Sequence, residues 1–386
     1  MTDRVYLDWN ASAPLRPKAR AAVLAMLERT GNPSSVHAEG RDVRQAIERA
    51  RGEVAKLVGA DAGSVIFTSG ATEANALALS PGWVRSPGDG PFMRLLVSAV
   101  EHASVREGGR FDRGRVSQIP VDGRGVIELG ALRERLAGPP ALVSVMLANN
   151  ETGVVQPICE VARIVHEAGG LLHVDAVQAP GRIGCDFNAL DADLLTLSAH
   201  KIGGPRGAGA LIRKAGLHLE DTLTRGGGQE RGLRAGTENV PGIAGFGAAA
   251  TEILAQSGQE AAHTRRLRTM LETGLRSVTP DIVFFGEEGE RLPNTTCFSH
   301  PGLLAETAVI GFDLAGVAVS SGSACSSGKV QPSHVLAAMG VDPALARGAI
   351  RVSTGYSTKE ADIERLLSAW TKLSESLLKG RKSIAA

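Results

Sequence analysis

Leu194 to Leu211, LLTLSAHKIGGPRGAGAL, is an apolar run that stops at Ser198, His200 and Lys201 and passes into a turn rich in glycine. Such a run reads as a strand whose polar side chains gather at its end. An amine set directly behind buried apolar residues is open to a lowered pKa, so Lys201 is a candidate Schiff-base or general-base lysine. Alone, Lys201 reads better as a surface lysine at a strand end. The balance shifts because other reactive side chains fall at equivalent places. Thr72 follows VIFT (65–68), His102 follows the strand-like run 95–100, and Asn149 follows 142–148. Asp175 and Gln178 follow 171–174, and Arg351 lies in a strand-like setting at 350–352. Cys325 sits in SSGSACSSG (320–328), too rich in glycine and serine for a core, and is a candidate nucleophile.

A lysine, an aspartate and a helix start that accepts an anion are what pyridoxal 5′-phosphate needs. The lysine forms the imine, the aspartate keeps the pyridine nitrogen protonated, and the helix start takes the phosphate. The turn SGATE (69–73), between a strand and a helix expected from Ala74, supplies such a start. An arginine for a substrate carboxylate and a loop cysteine would complete a site for sulfur transfer.

These side chains need elements to position them. Helical periodicity predicts helices over 16–29, 39–58 and 157–168, with strands at 65–68, 95–100, 142–148, 171–174 and 194–197. Strand and helix alternate for nearly half the chain, which predicts a largely parallel sheet covered by helices, with ligands beyond the carboxyl ends of its strands. Residues 225–240, RGGGQERGLRAGTENV, read as an ordered loop. A helix at 259–278 is expected to open a second domain. Ser357 and Glu360 read as a capping box for a last helix with Ile363, Leu366, Trp370 and Leu373 on its apolar face.

Of 386 residues, 42 are basic and 41 acidic, a net charge of +1 that argues against a nucleic-acid surface. The glycine-interrupted run at 240–250 is too short to span a bilayer, and the N-terminus has no signal-like apolar segment. The four cysteines, Cys159, Cys185, Cys297 and Cys325, form no C-x-x-C pair, which argues against a zinc site built by this chain alone. So few cysteines fit a reducing, cytoplasmic compartment.

The chain resembles the cysteine desulfurases of the NifS and IscS type, in class V of the aminotransferase fold. The resemblance rests on YLDWNASAP (6–14), GNPSSVH (31–37), TSGATEANAL (68–77), EHASV (101–105), NNETGVVQP (149–157), HVDAVQ (173–178), SAHKIGGPRGAGAL (198–211), RAGTENV (234–240), SSGSACSSGKVQPSHVL (320–336) and RVSTG (351–355). These stretches run nearly end to end in the family's order. Trp9 stands where the family usually has Asn, and Ser12 and Ala13 where it usually has threonines. Both departures are expected near the substrate entrance.

The resemblance implies an α/β fold of the pyridoxal-phosphate-dependent aminotransferase type (fold type I). A mainly parallel large domain at 15–257 would be preceded by a segment at 1–14 and followed by a small α+β domain at 258–386. Lys201 would hold the cofactor covalently, Asp175 would pair with the pyridine nitrogen, Gln178 would bond the ring hydroxyl oxygen and His102 would stack on the ring. Ala71, Thr72, Ser198 and His200 would hold the phosphate, and Thr237 would reach the phosphate of the neighbouring subunit, which implies a homodimer. Asn149 and Arg351 would orient the carboxylate of L-cysteine. Cys325 would accept sulfur as a persulfide, leaving L-alanine, and pass it to an iron–sulfur scaffold protein, touching a cluster during the hand-off. No nucleic acid or membrane partner is implied. The pattern leans toward NifS, and nitrogenase clusters, housekeeping clusters and tRNA thiolation stay open as sulfur destinations. The rival readings are a selenocysteine lyase or another class V carbon–sulfur lyase, or a silent sulfur-carrier subunit.

Overall fold

The computed structural model describes residues 4–86, 88–322 and 332–379. Cys325 lies outside them. In chain order, the elements that matter to the site begin with β1 (Val5–Tyr6), α1 (Pro17–Leu27), α2 (Ala38–Leu57), β2 (Val65–Thr68) and α3 (Ala71–Ala78). Then come β3 (Leu95–Ser98), α4 (Ala103–Arg106), β4 (Val116–Ile119), β5 (Leu142–Met146) and α5 (Ile158–Glu167). β6 (Leu171–Asp175), β7 (Leu194–Ser198), β8 (Gly209–Arg213) and α6 (Val240–Val278) follow. The C-terminal part holds β9 (Val283–Phe284), β10 (Thr295–Ser299), α7 (Ala305–Leu314), β11 (Val317–Ala318), β12 (Ser320–Ser321), α8 (His334–Ala338), β13 (Ile350–Ser353) and α9 (Glu360–Lys379).

Seven strands make one sheet in the order β2-β8-β7-β6-β5-β3-β4. Only β8 runs antiparallel to its neighbours, β2 and β7. The inner strands are buried on both faces, as a parallel sheet under helices requires. One face packs on α2, α5 and α6 through Val54, Val143, Val165, Leu195 and Phe246. Leu77, Leu95, Leu142, Leu194 and Leu211 fill the other. A second, antiparallel sheet, β9-β10-β13-β12, packs through Phe298, Ile350 and Val352 against Leu271, Phe312 and Trp370. β1 pairs in parallel with β11, so the N-terminal strand lies beside the C-terminal elements.

The free edge of β2 is closed by side chains. Glu230 accepts from the backbone N–H of Phe67 at 2.8 Å, and Arg51 donates to the carbonyl of Val65 at 2.9 Å. Arg51 and Glu230 meet in two parallel bonds of 2.7 Å each. Glu230 and Arg231 take φ of 47° and 59°, a left-handed turn that drives the Glu230 side chain inward. An edge that would otherwise offer its backbone to another chain is thereby covered.

Three expectations are corrected. The helix expected at 259–278 is the second half of α6, which runs unbroken over 39 residues from Val240. The position 257/258 therefore lies inside a helix. The glycines at 245 and 247 allow close packing of this helix. A Cβ at Gly245 would stand 2.6 Å from Val23, and one at Gly247 would stand 2.6 Å from Ala50. α3 begins at Ala71, not Ala74, because the Glu73 carboxylate accepts from the Ser69 N–H at 2.9 Å and closes the turn early. α9 is capped by Asp362, whose carboxylate accepts from the Lys359 N–H at 2.8 Å, with Ser357 in the turn before it.

Candidate active site

The carboxyl ends of β2, β3, β5, β6 and β7 open onto one cavity of about 550 Å³. Ala71, Thr72, His102, Asp175, Gln178, Ser198, His200, Lys201 and Arg351 all line it. Parallel strands in register bring their ends level, so residues scattered over 280 positions of sequence meet.

At one end lies the start of α3. Gly70 precedes it without any side-chain cap, so the first-turn N–H groups of Ala71 and Thr72 have no partner within the helix. A Cβ on Gly70 would have nothing within 4 Å. The Ser198 hydroxyl is buried beside this start without a hydrogen-bond partner. Burial, reinforced by the charges of Lys201 and Arg206, pushes His200 down to about 4, so its ring is neutral.

Asp175 ends β6 further along the cavity. Its Oδ1 accepts from the Val177 N–H at 3.0 Å, and its Oδ2 accepts from Asn75 Nδ2 at 2.9 Å. His102 caps α4, its Nδ1 meeting the Ser104 hydroxyl at 2.9 Å and the Ser104 N–H at 3.2 Å. Burial lowers its pKa and Lys201 lowers it further, against the opposing pull of Asp175. Lys201 donates from Nζ to the carbonyls of Asn10 at 2.6 Å and Ala11 at 3.0 Å. Gln178 donates to the same Asn10 carbonyl at 3.0 Å. Arg351, 3% exposed, donates to the Asn150 carbonyl at 3.0 Å and to Asp8 at 2.7 Å.

Asn149 and Trp9 are placed elsewhere than expected, and Thr237 lies outside this chain's own cavity. Asn149 is buried behind the cavity, with its Oδ1 accepting from the N–H groups of Glu151 and Thr152 and its Nδ2 donating to the Val100 carbonyl. Its side chain shapes the loop, and Asn150 stands in the wall instead. Thr237 is exposed and outside this cavity. Trp9 does not line this cavity. It is 4% exposed, packs over Gly355, where a Cβ would stand 2.0 Å from the indole, and meets Tyr356 edge to face at 5.1 Å. Ser12 does line the cavity, and the Ala13 N–H bonds the His200 carbonyl.

Sequence reasoning passed over Asn75, Ser104, Asn10 and Glu101. Asn75 was visible as a polar residue in an otherwise apolar helix stretch, but its partner 100 positions away was not. Glu101 is wholly buried; burial and then the nearby Asp175 carboxylate raise its pKa well above the usual range. Among the described residues, no cluster of His, Cys, Asp or Glu is placed to hold a metal ion, and no helix is long and apolar enough to cross a membrane. The expected contact of Cys325 with a cluster lies outside the described residues.

A family model for class-V aminotransferases matches residues 5–366. The chain belongs to the class-V aminotransferase family. It is 44% identical over 381 residues to a cysteine desulfurase of Cereibacter sphaeroides, covering 97% of each chain. It is 39% identical to cysteine desulfurase IscS 1 of Archaeoglobus fulgidus, covering 96% of this chain and 97% of the relative. A solved NifS-like protein from Rickettsia africae superposes with a TM-score of 0.87 at 33% identity, covering 96% of this chain and 99% of that one. The class-V aminotransferases use pyridoxal phosphate, and this cavity fits it. The uncapped helix start and the partnerless Ser198 hydroxyl suit a phosphate, the doubly bonded Asp175 suits a protonated ring nitrogen, and Lys201 lines the same cavity.

Proposed function

We propose that this chain is a cysteine desulfurase that converts L-cysteine to L-alanine and holds the sulfur as a persulfide on Cys325. The observation that carries the reading is the convergence of Lys201, Asp175, His102 and Arg351 on one cavity. The ends of the segment bearing Cys325 border it. Ser320 pairs with Arg351 in the small sheet, and His334 bonds the Glu101 carbonyl at 2.9 Å.

Ala71, Thr72, Ser198 and His200 would hold the phosphate, Asp175 the ring nitrogen and Gln178 the ring hydroxyl. When bound, pyridoxal phosphate supplies an electrophilic carbon and a ring that takes up the electron pair released at the substrate Cα. Arg351 binds the substrate carboxylate and fixes which Cα bond faces Lys201. Lys201 Nζ takes the α-proton. With Nδ1 accepting from the Ser104 N–H, Nε2 of His102 is the ring atom left for proton exchange; it carries the proton of the neutral ring, and it takes up the proton that must leave a thiol only after giving this one up. The Cys325 thiolate attacks the substrate sulfur. The new S–S bond replaces the broken Cβ–S bond, whose electron pair stays with the carbon fragment and is protonated to L-alanine. Thr237, exposed on the surface, would complete the phosphate site of a second subunit in a homodimer. A cytoplasmic iron–sulfur scaffold would receive the sulfur. The domain division at 15–257 and 258–386 belongs to the same reading, with α6 shared across it.

The test is release of sulfide and alanine from L-cysteine with a reductant, wild type against Cys325→Ala. Equal release by the wild type and none by the variant supports the reading. Full activity in the variant removes Cys325 and favours a carbon–sulfur lyase. A silent wild type that binds the cofactor favours the sulfur-carrier reading.

A further inference from the structure

The first residues of the chain reach the site in a way that no role above explains. β1 and the turn after it lie beside β13: the Ser353 N–H bonds the Leu7 carbonyl at 2.8 Å, and Asp8 bridges Ser353 in parallel. The turn is closed on the Asp8 carbonyl, which accepts from Ala11 at 3.1 Å, Ser12 at 3.3 Å and the Tyr6 hydroxyl at 3.0 Å. Asp8 is thus fixed next to the strand that carries Arg351, and its carboxylate meets the guanidinium at 2.7 Å, with the side chains 18% and 3% exposed. Asp8 does not line the cavity, whereas Arg351 does. The acid stands behind the arginine.

We propose that Asp8 is a specificity-determining residue. By neutralising Arg351 from behind, it makes this end of the cavity a receptor for the carboxylate of a free α-amino acid and a poor one for anions that carry no amine. The inference rests on the reading of Arg351 as the carboxylate partner. An unpaired guanidinium so little exposed would attract any small anion strongly, because low dielectric magnifies its charge. Paired with Asp8, it keeps N–H donors for a carboxylate but loses most of its net field. The Asn150 carbonyl holds the guanidinium from a second element, so its plane does not depend on Asp8 alone. The cavity is lined by Lys201, Arg206 and Arg351 against the carboxylates of Glu73 and Asp175, so without Asp8 its side chains carry one more positive charge than negative. An amino acid brings its own ammonium and is indifferent to that excess, while a simple carboxylate gains from it.

Asp8→Asn keeps the hydrogen-bond acceptor and removes the charge. The probe is 3-mercaptopropionate, which has the thiol and carboxylate of L-cysteine but no amine. Its binding to the holoenzyme is measured by calorimetry, which requires no turnover. Asp8→Asn should bind it about tenfold more tightly than wild type, with L-cysteine KM moving much less. Asp8→Glu should restore wild-type behaviour, and Arg351→Gln should weaken the probe in both backgrounds. Asp8→Ser provides a second neutral variant should Asp8→Asn not fold. Unchanged or weaker probe binding in the neutral variants overturns the proposal. Because the probe does not react, a wild type without desulfurase activity would sink the functional reading and leave this result interpretable.

Discussion

Asn75 donates from Nδ2 to Oδ2 of Asp175 at 2.9 Å, and the same nitrogen lies 2.9 Å from the Ser104 hydroxyl, which in turn meets His102 Nδ1. One amide therefore links the acid at the end of β6 to the imidazole after β3. A bond to a charged carboxylate contributes about 1.5–3 kcal/mol. Asn75→Ala should weaken pyridoxal phosphate binding by roughly tenfold or more, since about 1.4 kcal/mol is a factor of ten. Titration of the apoprotein followed by visible absorbance measures it, and an unchanged Kd would show that the link carries no energy.

Gly209 in β8 lies against the turn that opens α3. A Cβ there would stand 2.6 Å from the Gly70 carbonyl carbon and 3.0 Å from the Ala71 nitrogen. Gly209→Ala should push the helix start away from the phosphate position. The expected result is faster cofactor loss on dialysis against phosphate buffer. Retention at the wild-type rate would mean the turn yields without moving its N–H groups.

The Arg51–Glu230 pair is buried on both sides, with side chains 5% and 2% exposed. Removing one partner of a buried pair costs about 3–5 kcal/mol, and here the loss should fall toward the lower end, because Arg51 keeps a second carboxylate, Glu48, at 3.2 Å. Glu230→Ala should lower the urea midpoint accordingly, and because it removes the acceptor for the Phe67 N–H it should also make the protein associate through the uncovered edge of β2. Light scattering and chemical unfolding read the two effects separately. A variant as stable as wild type would remove the pair from the account of this edge.

His173 lies in the middle of the large sheet, between the Ser144 hydroxyl at 2.8 Å and the Thr196 hydroxyl at 3.0 Å, and burial pushes it down to about 4. Between its ordinary 6.5 and about 4, the unfolded chain binds a proton at this site and the folded chain does not. Its contribution to stability is present above 6.5 and is lost as pH falls through that window. His200, also near 4, acts in the same direction, whereas Glu151, raised to about 7 by burial, acts oppositely. His173→Gln should therefore flatten the decline of the urea midpoint between pH 6.5 and 4 without abolishing it. An unchanged slope would mean that His173 is protonated in the folded state.

The sequence by itself determined the alternation of strands and helices, the strand ends that carry His102, Asp175 and Lys201, and the glycine turns beside them. These are local properties: apolar period, turn chemistry and a polar residue where an apolar run stops. It placed only the second half of α6, at 259–278, because the first half is rich in glycine, and in the fold these glycines let the helix lie against Val23 and Ala50. It also misplaced Trp9 and Asn149, whose burial depends on Tyr356, Gly355 and the 149–152 loop. Only the tertiary structure decided that Asn75 serves Asp175, that Glu230 closes the edge of β2 and that Asp8 backs Arg351 across 343 positions. Hydrogen bonds and ion pairs act over about 3 Å, and no pattern in the chain encodes which distant residue will arrive within that reach.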